Sequence, residues 1–390
     1  MSSNSFGNTH PWSTSAVAAL AGASTSIMLH LRSITPYYIT EIFWLSSCIL
    51  CVAIANKIPR SSIKLMAPAL IFLTSTIISV MISGSSGTRA FQIFLCILAF
   101  FISLTITTIF FSAFIKAFLA TSSIFFIAYF VDFAPFFLGL TDWSLTAYVR
   151  GSNIRMEGLL ESPNYFGMTS FGTLVIALAF HTRAQEGIAF SAAAFSGVLL
   201  SLSRAVLLAC IFIIGLRAFL NPKKALKFVA GFIVSGGAAI AFLAAFRPSA
   251  IQSVYNRFSD QGGGANERIE VTLGAMKAAF APDHILFGYG LWPYREFGFS
   301  EPPHNAYATI FVDQGLVGLG ALLSFFGLTA FLVAKSTKGK ARRNFFIYLA
   351  GLALVLLFND FHIYRDWWVS LGAVLGIAFS RTNDVGEGRS

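Results

Sequence analysis

The sequence predicts an all-α, polytopic membrane protein: one integral membrane domain over residues 1–390, about twelve transmembrane helices, and one large outer loop at about 247–305 containing a short helix. Two observations carry this. Hydrophobic residues make up 56% of the chain and charged residues 11%, with a mean hydropathy of +0.73, whereas soluble domains carry about 25% charge. Apolar runs long enough to cross a hydrocarbon core, about 20 residues, also recur between short polar segments.

The runs fall at about 14–30, 37–55, 65–83, 91–109, 117–140, 164–181, 187–202, 205–220, 228–246, 306–334, 345–360 and 367–380,. Met1 to Trp12 is polar and lacks the basic segment that opens a cleavable signal, so the first span is expected to be kept. Cys48, Cys51, Cys96 and Cys210 all lie inside apolar runs, where thiolates are disfavoured, and read as packing residues. No His, Cys and carboxylate grouping has metal-ligand spacing, and neither a metal nor a cofactor is expected.

The net charge of +10 is explained by topology rather than by nucleic acid, which is not expected as a partner. With both termini on the inner side, the basic clusters at 217–227 and 335–343 fall inside, as the positive-inside rule requires. The outer segments hold arginine almost exclusively, which suits bidentate recognition of oxygen anions.

Taken in order, the first four spans form a scaffold. The fifth brings Asp132 and Pro135 to the outer face, followed by the outer loop 141–163 with Arg150, Arg155, Glu157 and Glu161. Spans 187–202 and 205–220 meet at a turn so short that Arg204 lies at the outer membrane boundary. An arginine there either snorkels to headgroups or belongs to a functional site.

In the segment 247–305, the run from Gln261 to Gly264 reads as a hinge. Asn266 is then the expected N-cap of a helix at about 267–280, with Ile269, Leu273, Met276 and Phe280 as its apolar side. Arg268 sits in the first turn, where a cation opposes the helix dipole. It calls for an anion, supplied either by a ligand or by Glu267 and Glu270. The aromatic residues from Phe287 to Phe299 suit an interfacial belt or a sugar-stacking surface.

Residues 301–320 organise the rest. A proline-stiffened loop delivers His304 and Asn305 to the mouth of a long apolar helix. At roughly 100° per residue, His304, Ala308, Phe311, Gly315 and Gly318 fall on one stripe, and glycines in such a helix admit a second helix closely. Asp313 lies about 13 Å further along the axis and needs a partner at that depth, for which Arg204 is a candidate. The stretch from Asn359 to Asp366 forms a last polar outer turn.

The His-Asn pair followed after nine residues by Gly-x-x-Gly resembles the signature of the O-antigen ligase and polymerase superfamily of bacterial envelope glycosyltransferases. Asn266-Glu-Arg-Ile-Glu, the stretch from Ala281 to Gly290, that from Arg155 to Gly167, and Leu202-Ser-Arg-Ala205 are also similar to the family. The likeness covers about residues 150–335. His284 departs from the more apolar family pattern.

The resemblance implies a histidine base and outer-face arginines that bind a lipid-linked diphosphate. These roles carry over to His304, Arg204 and Arg268, with Arg155 a weaker donor-binding candidate and Asn305 and Asp313 in support. The donor implied is an undecaprenyl-diphosphate-linked glycan and the acceptor a saccharide or lipid A core, within the lipid bilayer. The expected location is the bacterial inner membrane, with both termini cytoplasmic and the site facing the periplasm. Chemically, guanidinium forks match diphosphate oxygens, and an imidazole suits general-base work. A multispan transporter of an anion or a lipid-linked sugar is the alternative. It is disfavoured because the chain shows no internal repeat and its polar residues crowd one face.

Overall fold

The computed structural model describes residues 11–31, 39–55, 60–83, 87–150, 153–160, 162–180, 184–220, 251, 255, 264–291, 293–295, 297–299, 303–360 and 363–387. The helices are α1 (Pro11–His30), α2 (Ile39–Ala55), α3 (Arg60–Ser83), α4 (Thr88–Phe137), α5 (Pro163–Phe180), α6 (Ala184–Ser201), α7 (Arg204–Leu220), α8 (Gly264–Ala279), α9 (Ala306–Ser336), α10 (Gly339–Val355) and α11 (Arg365–Glu387). Nine of the expected spans each correspond to one helix, two merge into α4, and the span at about 228–246 lies outside the described residues. The short helix expected in the outer loop is α8. It starts at Gly264, so Asn266 lies in its first turn rather than ahead of it.

Among the described residues, three helices are long and apolar enough to cross a membrane by themselves: α3 over Ile63–Ile82, α4 and α9. The expected count of twelve is not reached on that measure. One reason is length, since α2, α5, α6 and α7 have 17 or 18 residues, just under the ~20 of a perpendicular crossing.

The 50 residues of α4 would make a rod of about 75 Å if straight, but the helix breaks at Phe110 (φ −122°, ψ 37°). The contacts give the geometry. Thr169 bonds Asp366 and Gly172 abuts Ser370, so α5 and α11 run in parallel. The first arm of α4 follows them, with Phe100 at Trp368 and Thr107 at Gly376. The second arm runs against α5, with Phe111 at Phe180 and Phe126 at Phe166. The chain therefore reverses at Phe110, and the spans expected at 91–109 and 117–140 are two antiparallel arms.

At the centre, α11 is buried at every residue from Arg365 to Ser380. Small residues allow this: a Cβ on Gly372 would meet the Phe100 carbonyl, and one on Gly376 the Thr107 side chain, the close helix approach seen where small residues line a membrane interface. By contrast, α3 turns Ile63, Leu70, Ile71, Ile77 and Met81 outward.

Two features depart from the sequence reading. The loop after α4 contains an antiparallel hairpin, β1 (Ala147–Arg150) with β2 (Asn153–Met156). Asp132 anchors it by accepting hydrogen bonds from Ser144 Oγ (2.5 Å), Thr146 N (3.0 Å) and Thr146 Oγ1 (2.7 Å).

The second departure is in α9, which is interrupted at Gly315 (φ 66°, ψ −162°). Only glycine takes this conformation without strain. The freed carbonyls of Val312 and Asp313 accept from Tyr289 N and Gly290 N, while Leu316 N and Val317 N donate to the carbonyls of Ile285 and Leu286. A loop backbone, not a second helix, approaches Gly315: a Cβ there would collide with the Leu286 carbonyl. Broken helices survive in membranes only where freed backbone groups find such partners.

Candidate functional site

The turn between α6 and α7 is built under strain. Leu202 has φ +48°, a left-handed conformation that costs a side-chain-bearing residue of order 1–3 kcal/mol. Arg155, from β2, steadies it by donating from Nε to the Ser201 carbonyl at 2.8 Å, and the Ser201 hydroxyl accepts from Ser203 N at 3.2 Å. Gly167 of α5 lets the turn come close, since a Cβ there would lie 2.8 Å from Ser201 Oγ. Arg204 follows directly, half-buried at the first turn of α7.

His304 also has a positive φ, +51°, so it stands ahead of the helix rather than on its stripe. Asn305 is the N-cap, its side chain accepting from Ala308 N at 3.0 Å, which satisfies one of the free donors of the first turn. Ala306 N donates to the Leu356 carbonyl at 2.8 Å, fixing the start of α9 against the end of α10. On the other side, Thr272 Oγ1 of α8 donates to the Pro303 carbonyl at 3.1 Å. The histidine is thus held between two anchored flanks.

Between these elements lies a cavity of about 480 Å³ lined by Asn164, Ser203, Arg204, Ala205, Leu208, Ile269, Thr272, Leu273, Pro303, His304, Asn305, Leu357, Phe358 and Asn359. It unites Arg204, His304 and Asn305, which the chain separates by about a hundred residues. One part of the lining is polar. The other consists of Leu208, Ile269, Leu273, Leu357 and Phe358, which are 40% to 63% exposed. Ile269 and Leu273 of the apolar side expected for α8 belong to this wall, whereas Phe280 contacts Phe311 of α9. The helix packs inward through Val271, Ala275 and Ala279, with the two alanines against Tyr294, Phe311 and Val312.

The remaining sequence candidates are distributed differently. Arg155 is buried and spends its guanidinium on Ser201 and on Asn164 Oδ1, at 2.9 Å. Burial pushes the neighbouring Glu157 carboxyl up, with Arg155 partly offsetting this. The backbone of Arg268 immediately precedes Ile269 of the cavity wall; its side chain lies outside the described residues.

Asp313 does not face the cavity, and Arg204 is not its partner. Tyr294 donates to Asp313 Oδ1 at 3.0 Å, Ser79 donates to its carbonyl at 2.5 Å, and the cation whose charge it meets is Arg89. Burial, Asp313 and Asp360 push the Tyr294 hydroxyl well above its ordinary value, so it remains a donor. His284 stacks on Tyr289, with centroids 3.6 Å apart, away from the cavity.

The sequence reading missed Asn164 and Ser203. Both stand in stretches of family resemblance, but neither residue type signals a site alone. Asn359 was legible as part of the last polar turn, in which Asp360 accepts from Thr309 at 3.0 Å and Arg365 pairs with Glu41 at 2.6 Å.

Fold and cavity define a helical membrane protein with a partly polar, partly apolar site where four stretches of the chain converge: the start of α5, the α6–α7 turn, α8 with the start of α9, and the end of α10. Residues 189–323 match the family model described as O-antigen ligase. The match covers about a third of the chain and supports its similarity to the O-antigen ligase and polymerase superfamily. The matched stretch includes Ser203, Arg204, Arg268, His304, Asn305 and Asp313; Arg155, Asn164 and Asn359 lie outside it. No curated protein matches the chain.

Proposed function

We propose that the protein is an inner-membrane glycosyltransferase that moves a glycan from an undecaprenyl-diphosphate-linked donor to a saccharide hydroxyl, on another repeat unit or on lipid A core. The observation that carries this reading is the two-part cavity. A basic and hydrogen-bonding end with Arg204 and His304 suits a diphosphate and sugar, and the exposed apolar wall of Leu208, Ile269 and Leu273 suits the first isoprenes of a lipid.

In the reaction, His304 takes the proton of the acceptor hydroxyl as its oxygen bonds to the anomeric carbon. The bond from that carbon to the diphosphate oxygen breaks, and the lipid diphosphate leaves with the electron pair. Displacement from the opposite face inverts the anomeric centre. Arg204 and Arg268 hold the leaving diphosphate by paired N–H donors, taking the part that a divalent ion has at many phosphate sites. The cavity faces the periplasm and both termini the cytoplasm.

The break in α9 is the feature that favours a transporter, because discontinuous helices coordinate cargo there. The loop 285–290 accepts from or donates to the freed groups of Val312, Asp313, Leu316 and Val317, leaving little backbone to coordinate anything, and the enzyme reading is preferred.

The test is reconstitution of the full chain in vesicles with an undecaprenyl-diphosphate-linked oligosaccharide, with a saccharide acceptor and with lipid A core in separate arms. Transfer that persists in EDTA and is lost in both Arg204→Ala and Arg204→Lys is expected, because an ammonium keeps the charge but loses the planar fork. Movement of intact donor across the bilayer without glycosidic bond formation would establish the transporter instead.

A further inference from the structure

The polar end of the cavity contains two groups that the proposed chemistry does not use. Ser203 is 1% exposed, lines the cavity, and its Oγ has no hydrogen-bond partner among the described residues. A buried hydroxyl without a partner is costly, and such groups call for an explanation. The second group is Asn164. Its Oδ1 accepts from Arg155 Nη2, and because a guanidinium can only donate, this contact fixes which way round the amide stands. The oxygen faces Arg155, and the two N–H donors remain on a side chain that lines the cavity.

We propose that Asn164 and Ser203 form a neutral hydrogen-bonding subsite for a saccharide hydroxyl beside Arg204 and His304, with Arg155 as the residue that positions both. A hydroxyl donates and accepts at once. Ser203 offers both roles, Asn164 supplies donors, and neither carries the charge that would single out a phosphate; the adjacent Arg204 does. Arg155 acts at one remove, orienting Asn164 through Oδ1 and the Ser203 turn through the Ser201 carbonyl. The inference rests on the glycosyl-transfer reading and deepens it: it assigns residues to sugar recognition without saying which sugar, donor or acceptor, supplies the hydroxyl.

The experiment uses the full chain in vesicles and reads KM for each substrate, kcat, and inhibition by sugar-free undecaprenyl diphosphate, in wild type, Ser203→Ala and Asn164→Asp. Asn164→Asp keeps the oxygen that Arg155 holds and removes the donors, so the local fold is retained. Each variant is expected to raise KM for one saccharide substrate about 3- to 10-fold, the scale of one neutral hydrogen bond, while kcat and inhibition by the sugar-free lipid stay unchanged. A rise confined to the lipid-linked donor identifies its sugar as the source, and one confined to the acceptor identifies that sugar. Unchanged KM values in an active enzyme would overturn the subsite. Equal weakening of the sugar-free lipid would also overturn it, by assigning these groups to phosphate. A wild type that performs no transfer would overturn the functional reading itself, a result told apart because it precedes any variant.

Discussion

Two polar clusters lie on either side of the first turns of α9, and they are built on opposite rules. The cluster around the Gly315 break is mostly closed: Asp313 accepts from Tyr294, its carbonyl is taken by Ser79 and Gly290, Thr309 donates to Asp360, and Gln314 accepts from Ser75, with Gln314 Nε2 left without a partner among the described residues. The cluster in front of it is open. Arg204 has no hydrogen bond or ion pair among the described residues, and Ser203 Oγ has no partner there either. Buried polar groups are ordinarily paired because leaving them unpaired is expensive. Satisfied groups here report architecture, and a group that is both unsatisfied and on the cavity lining, as Ser203 is, reports where a ligand belongs.

His304 lines the same cavity as Arg204 and Ser203. His304→Ala should reduce transfer about 10²- to 10⁴-fold, the usual contribution of a general base, with little change in the thermal midpoint of the purified protein. Normal transfer in this variant would make the histidine a turn residue and erase the distinction.

Gly315→Ala tests the closed side. Its φ of 66° excludes a Cβ without strain, and the Leu286 carbonyl occupies the space. Folded yield is expected to collapse, by about 3 kcal/mol or more. A well-folded Gly315→Ala protein would mean that α9 can close into a regular helix and release the loop 285–290.

Tyr294→Phe removes the donor to Asp313 and should cost about 1.5–3 kcal/mol, as for a hydrogen bond to a charged group. Unfolding measurements should register this while KM and kcat of the folded fraction are kept. A fall in kcat at unchanged stability would move the closed cluster into the chemistry.

These contrasts also separate what was legible in the sequence from what was not. Arg204 and His304 could be found because an arginine at a very short turn and a His-Asn pair ahead of a long apolar run are rare arrangements with a physical meaning. The partner of Asp313 could not. Arg89 comes from a distant part of the chain and Tyr294 from a loop whose path the sequence does not give, and polarity alone made Arg204 a candidate. The apolar side of α8 was legible, but not that Ile269 and Leu273 on it stand exposed on the cavity wall while Phe280 packs on Phe311. The reversal in α4 is invisible to periodicity, since Phe110 is apolar like its neighbours; the two spans were nevertheless separable by length. Ser203 and Asn164 are common polar residues whose significance lies in a missing partner and a fixed orientation, which only coordinates reveal.

Asn305 stands between the two clusters and gives the smallest and most discriminating effect. It lines the cavity, yet its Oδ1 is committed to Ala308 N as the cap of α9. Asn305→Ala should cost about 0.5–2 kcal/mol of stability, with a moderate loss of transfer because the cap fixes the start of the helix just after His304. Asn305→Asp keeps the capping oxygen and adds a negative charge where the helix dipole favours one, so it should restore both stability and transfer. If the residue instead serves substrate through its amide N–H groups, the aspartate will fold well and still transfer as poorly as the alanine variant. That split between stability and turnover would reassign Asn305 from the architecture of α9 to the open site.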